Sequence, residues 1–145
     1  PQLRNFVTLS PVPGFVSWLK RAHPDAPELQ AIAQPGWHAD PATAERLRPR
    51  LQALLVSYLF EAKTDIGRPA DPVGRFHLGN GACIEHVRWL GDVSEKGLRN
   101  AAGFMVNYLY DLDNIEANHE AHFNHGTIFA SRQVRALRES ALRSD

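Results

Sequence analysis

One stretch limits the fold of this chain more than any other. Ala44, Leu47, Leu51, Leu54, Leu55, Tyr58, Leu59 and Ala62 fall on a single helical face. An apolar face of that length has to be covered by a core. Pro49 lies inside the pattern, and its missing N–H predicts a kink, or two abutting helices with the second starting near Pro49. Gly67-Arg68-Pro69 and Asp71-Pro72 mark the loop that ends it.

The remaining segments supply strands and shorter helices. From Leu3 to Leu9, apolar groups stand on both alternating faces, which predicts a strand buried within a sheet. Ser10-Pro11-Val12-Pro13-Gly14 turns the chain, and Phe15, Trp18, Leu19 and Ala22 repeat at helical spacing up to His23-Pro24. Between Asp25 and Pro41, short helix and loop are equally compatible with the residues. Gly79-Asn80-Gly81 has turn composition. Ala82–Leu90 then reads as a strand, with Ile84, His86, Arg88 and Leu90 opposite Glu85, Val87 and Trp89. A polar turn over Asp92–Asn100 leads to a second strand, Gly103–Leu112, and the pair is expected to be antiparallel. Ala130, Val134, Leu137 and Ala141 form one stripe of a basic C-terminal helix. The sum is an α+β layer arrangement in one domain, residues 1–145. Three strands make a thin sheet for this much apolar surface, and the chain opens on Pro1. We therefore expect a fragment or processed product whose missing N-terminal part supplies neighbouring strands.

Charge excludes some partners. With 16 basic and 16 acidic residues the formal charge is zero, so no global field favours nucleic acid or an anionic membrane. Arg46-Arg48-Arg50 and Arg132-Arg135-Arg138-Arg143 read as solvated helix faces or contacts to another part of a larger protein. The sequence contains no apolar run long enough to span a bilayer. A single cysteine, Cys83, leaves no intrachain disulfide and suggests a reducing compartment, the cytoplasm. Glycine-rich phosphate loops are absent.

Few residues carry chemistry. Ser10 ends a strand ahead of a helix, so it is either a helix N-cap or a group that holds a carboxylate at a helix N-terminus. A nucleophile elbow is disfavoured, because the oxyanion N–H would belong to Pro11, which has none. His77, among apolar neighbours and next to glycines, is either bonded to a turn carbonyl or a proton donor and acceptor. Tyr108 and Tyr110 share one strand face, as core aromatics or with one phenol orienting a neighbouring histidine or serine. His119, His122 and His125 lack the four-residue spacing of the zinc-protease motif and read as a polar, frayed helix or loop.

Taken together, three blocks resemble the catalytic domain of malonyl-CoA decarboxylase. They are Phe6-Val7-Thr8-Leu9-Ser10-Pro11-Val12-Pro13-Gly14-Phe15 with Trp18-Leu19, then Asp71 to Ala82, then Trp89 to Leu98 continuing through Gly103 to Tyr110. The resemblance implies a GNAT-like (acetyltransferase-type) mixed sheet with flanking helices, of which Leu3–Leu9 is a central strand and this chain the C-terminal portion. It implies decarboxylation of malonyl-CoA to acetyl-CoA with no metal, biotin or other cofactor. It places the family's serine, histidine and supporting tyrosine on Ser10, His77 and Tyr110. Ser10 would orient the carboxylate, His77 would donate to the enolate oxygen or protonate the carbon, and Tyr110 would fix the hydrogen bonding. The family's upstream glutamate and pyrophosphate-binding turn have no counterpart in these residues. Neither has the helical domain through which full-length members form homo-oligomers. The rival expectations are a catalytically silent acyl-CoA-binding or structural fragment and, ranked lower, an acetyltransferase.

Overall fold

The computed structural model describes residues 4–143. Four strands and seven helices alternate along the chain in the order β1 (Asn5–Val7), β2 (Ser10–Pro11), α1 (Phe15–Ala22), α2 (Pro27–Ile32), a 3₁₀ turn (Trp37–Ala39), α3 (Pro41–Glu61), α4 (Pro72–Gly79), β3 (Cys83–Arg88), α5 (Glu95–Ala101), β4 (Met105–Asp111), α6 (Ile115–His125) and α7 (Arg132–Arg143). β4 is the hub of an antiparallel sheet: β1 and β2 pair with one side of it and β3 with the other. The α+β expectation and the antiparallel pair hold.

The long helix is one continuous element that runs through Pro49 without dividing, in place of the two abutting helices the proline suggested. Pro49 stands on the exposed side, where the unpaired carbonyl one turn earlier meets water. Its inner face buries Leu47, Leu51, Leu54, Leu55, Tyr58 and Leu59. The interval left open between helix and loop contains α2 and the 3₁₀ turn.

The N-terminal strand departs most from expectation. Leu3 lies outside the described residues, and β1 is exposed at every position, with Phe6, Val7 and Leu9 about half open to solvent or more. Among the described residues it has one neighbour, β4, so the edge where further strands were expected to pair is open. Apolar groups on both faces show what a strand is able to bury; here Phe6 stacks on the Tyr110 ring at 4.7 Å, while Val7 and Leu9 stay more than half exposed.

Two other segments hide their structure in short, polar sequence. Asp92–Asn100 holds helix α5 in place of a plain turn, capped by Ser94, whose hydroxyl accepts from the Gly97 N–H at 3.1 Å. A seven-residue helix is too short to display periodicity. In β3 the predicted alternation breaks at a bulge between Ile84 and His86, which turns both Ile84 and Val87 into the core.

Candidate active site

The site begins at a helix start. Asp71 and Pro72, read from sequence as the end of a loop, form the N-cap and first turn of α4, with the Asp71 carboxylate accepting from the Gly74 N–H at 2.8 Å. His77 therefore rides on a helix that packs over the sheet, and its imidazole stacks on the Tyr108 ring with centroids 4.6 Å apart. Tyr108 and Tyr110 do share one face of β4, so the second phenol reaches the other edge of the same imidazole.

Ser10 arrives from the opposite side. It lies in β2, paired with Val106, and not at a helix N-cap, because α1 begins only at Phe15 behind Gly14. That corrects both sequence readings of its setting: no helix N-terminus stands at Ser10 to receive a carboxylate. What Ser10 does meet is His77, with Oγ 3.1 Å from Nε2, and Thr8, with Oγ1 2.9 Å away. The other ring nitrogen of His77, Nδ1, is 2.6 Å from the Tyr110 hydroxyl. Neither nitrogen is spent on a turn carbonyl. Three residues far apart in the chain thus form one line of hydrogen bonds.

The direction of that line depends on the His77 tautomer. Burial raises the pKa of Tyr110, so its phenol keeps the proton, and the Asn80 side chain bonds the phenol oxygen as well. Where the Tyr110 O–H donates to Nδ1, Nε2 carries the remaining ring proton toward Ser10. Burial also lowers the pKa of His77, which keeps the ring neutral at pH 7. In that tautomer the imidazole presents an N–H at the serine and does not remove its proton. The arrangement is that of a hydrogen-bond donor pair, and differs from a hydrolytic triad, where a carboxylate on Nδ1 makes Nε2 a base.

Sequence reasoning missed Thr8, Asn80 and the role of Tyr108 as the imidazole's floor. Thr8 had a signal available, two positions before Ser10 and so on the same side of an extended segment. The three other histidines do not assemble. His119 Nδ1 donates to the Gly79 carbonyl at 2.6 Å and His122 Nδ1 to the Thr127 carbonyl at 2.9 Å. α6 is a formed helix in place of the frayed helix or loop expected there; His119 and His125 are solvated as expected, and His122 is buried. Among the described residues no cluster of His, Cys, Asp or Glu could hold a metal ion. A cavity of about 510 Å³ bordered by Val16, Lys20, Trp37 and Leu98 lies elsewhere and includes none of Ser10, His77 and Tyr110.

A family model described as the malonyl-CoA decarboxylase C-terminal domain matches residues 1–145. The chain belongs to that family. It is 30% identical to the mitochondrial malonyl-CoA decarboxylase of Anser anser anser over 92% of its length, and 30% identical to that of Rattus norvegicus over 94%. The crystal structure of malonyl-CoA decarboxylase from Rhodopseudomonas palustris superposes with a TM-score of 0.86 at 49% identity, covering 92% of this chain and 33% of that one. The structure from Agrobacterium vitis gives 0.84 at 46% identity, covering 94% and 36%. The chain spans about a third of the length of the curated malonyl-CoA decarboxylases it matches, 32% and 33% in these two cases. Both of those relatives are mitochondrial by name and lend no support to the cytoplasmic expectation. No described helix is long and apolar enough to cross a membrane.

Proposed function

We propose that the polypeptide carrying this chain decarboxylates malonyl-CoA to acetyl-CoA and carbon dioxide, with Ser10, His77 and Tyr110 as its reacting set. One observation carries the reading: Ser10 Oγ lies 3.1 Å from His77 Nε2 while Tyr110 holds Nδ1 at 2.6 Å. Membership of the family, and the names of relatives that are malonyl-CoA decarboxylases, supply the substrate.

The chemistry fits a neutral donor pair. Breaking the bond between the carboxylate carbon and the α-carbon leaves its electron pair on the thioester as an enolate. Ser10, relieved of Thr8, donates its hydroxyl to the departing carboxylate and holds it out of the thioester plane, so the breaking bond overlaps the carbonyl π-system. His77 aims Nε2–H at the enolate oxygen, a task that suits a neutral imidazole. When the α-carbon takes that proton, the Tyr110 proton moves to Nδ1. Water then reprotonates Nε2 as Nδ1 returns its proton to the phenolate, leaving one hydroxide for the carboxylate charge consumed. Charge and protons balance, and the starting tautomer is restored. Neither step calls for a cofactor.

We further read the sheet as part of a GNAT-like core, with the rest of the acyl-CoA site, the family's glutamate included, contributed by other residues of the full-length homo-oligomeric enzyme. Two measurements on the complete natural polypeptide test the function: carbon dioxide release from malonyl-CoA and binding of acetyl-CoA. Release with binding is the expected result. Binding without release would establish the silent fragment in its place, and transfer of acetyl to an amine would establish an acetyltransferase.

A further inference from the structure

Ser10 and His77 come from separate segments, and a hydrogen bond between them at 3.1 Å needs those segments held in register. The buried carboxylate of Asp71, 2% exposed, meets both. On its own helix it accepts from the Gly74 N–H at 2.8 Å, at the start of the α4 turn that leads to His77. Across the interface the carboxylate packs against Gly14, four residues after Ser10 on the serine segment, where a Cβ would stand 3.8 Å from Oδ1. From α3 the Tyr58 hydroxyl donates to it at 3.1 Å. The cluster is packed without slack: a Cβ on Gly14 would collide with the Tyr58 hydroxyl, and one on Gly74 would stand 3.0 Å from the Tyr108 hydroxyl. Tyr108 in turn is the ring on which His77 stacks.

We propose that Asp71 is a positioning residue that ties the serine segment to the histidine helix, with Tyr58 holding its carboxylate in place. The claim rests on the decarboxylase reading for its rate consequence, and on the contacts of Asp71 for its geometry. An N-cap alone would need one acceptor on the Gly74 N–H; this carboxylate also accepts from Tyr58 on α3 and packs against Gly14 on the serine segment. Misplacing reacting groups by about 1 Å costs on the order of 100-fold in rate, so loosening the tie should act on turnover more than on substrate affinity.

Asp71→Ser separates the two roles, because serine caps a helix nearly as well as aspartate but is too short to reach Tyr58 and Gly14 together. In the complete natural polypeptide we expect Asp71→Ser to fold and to lose roughly 10- to 100-fold in kcat, within the bound set by displacement, with KM changed less than about twofold. Placed in a His77→Asn background it should cost nothing more, because a residue that acts through the imidazole has nothing left to act on. Tyr58→Phe, which removes a single donor, should lose roughly 3- to 10-fold, and it decides the matter if Asp71→Ser does not fold. Wild-type kcat in a folded Asp71→Ser protein, or a loss that multiplies in full with that of His77→Asn, would overturn the proposal. If His77→Asn itself turns over normally, the decarboxylation mechanism falls instead. The nitrogen resonances of the His77 ring then decide the tie alone: a shift in Asp71→Ser upholds it, and unchanged resonances refute it.

Discussion

In the proposed mechanism Tyr110 sets which nitrogen of His77 carries the ring proton, and that choice decides what the serine meets. Tyr110→Phe removes the donor to Nδ1. A neutral hydrogen bond is worth about 1 kcal/mol net, so turnover should fall roughly 5- to 10-fold, and NMR of the ring nitrogens should show both tautomers. Unchanged turnover with one tautomer would assign the phenol a packing role only. The Tyr108 hydroxyl is buried without a partner. Tyr108→Phe keeps the ring beneath the imidazole and removes an unsatisfied donor, so thermal unfolding should show a change between zero and a gain of about 1 kcal/mol. The lowered pKa of His77 has a consequence for pH. Its ordinary value is 6.5, so on acidification the unfolded chain takes up this proton before the folded one does. The contribution of His77 is thus fully present above about pH 6.5 and is lost as pH falls through the lowered folded value. His77→Asn should flatten that limb of a denaturation series; an unaltered limb would locate it in another group. At this scale the sequence was informative. The family resemblance indicated Ser10, His77 and Tyr110, whose identities alone left each between a structural and a chemical role; Thr8 had its spacing from Ser10 as a signal, and Asn80, an amide in a turn, had none.

Among the elements, α3 and α4 show two ways a proline is used. Pro72 opens α4, where its missing N–H is not required, while Pro49 stands inside α3 and leaves the Glu45 carbonyl without its helical donor. Because Pro49 is exposed, alanine there restores the bond and disturbs no packing. Pro49→Ala should stabilise the fold by about 1–3 kcal/mol, the usual penalty of an interior proline, seen as a rise of several degrees in Tm. A fall would mean that the proline matches a bend the core requires. Long periodic stretches such as residues 41–61 and 132–143 were legible because an apolar stripe repeats often enough to define a period. Helix α5 was not, since its burial falls on a glycine and an alanine, Gly97 and Ala101, which carry no hydrophobic signature. Helix α4 was obscured by the same Asp-Pro pair that starts it, because that pair equally marks a turn.

For the molecule as a whole, the exposed β1 edge is the outstanding feature. Phe6, Val7 and Leu9 are open beside a strand with one neighbour, which is a template for pairing with another chain. The 145-residue chain alone should therefore self-associate with rising concentration in sedimentation experiments, and Val7→Lys should reduce that association; a wild-type chain that stays monomeric would refute it. Legibility ended at this scale, because alternation along residues 3–9 predicts burial but not which residues provide the cover. The central claim concerns what passes between Ser10 and His77, and one kinetic comparison tests it most directly: carbon dioxide release from malonyl-CoA by the complete natural polypeptide beside its His77→Asn variant. A donor to the developing oxyanion is worth roughly 10²–10³ in turnover. The account predicts a loss of that size with the fold intact, and wild-type release by His77→Asn would contradict it.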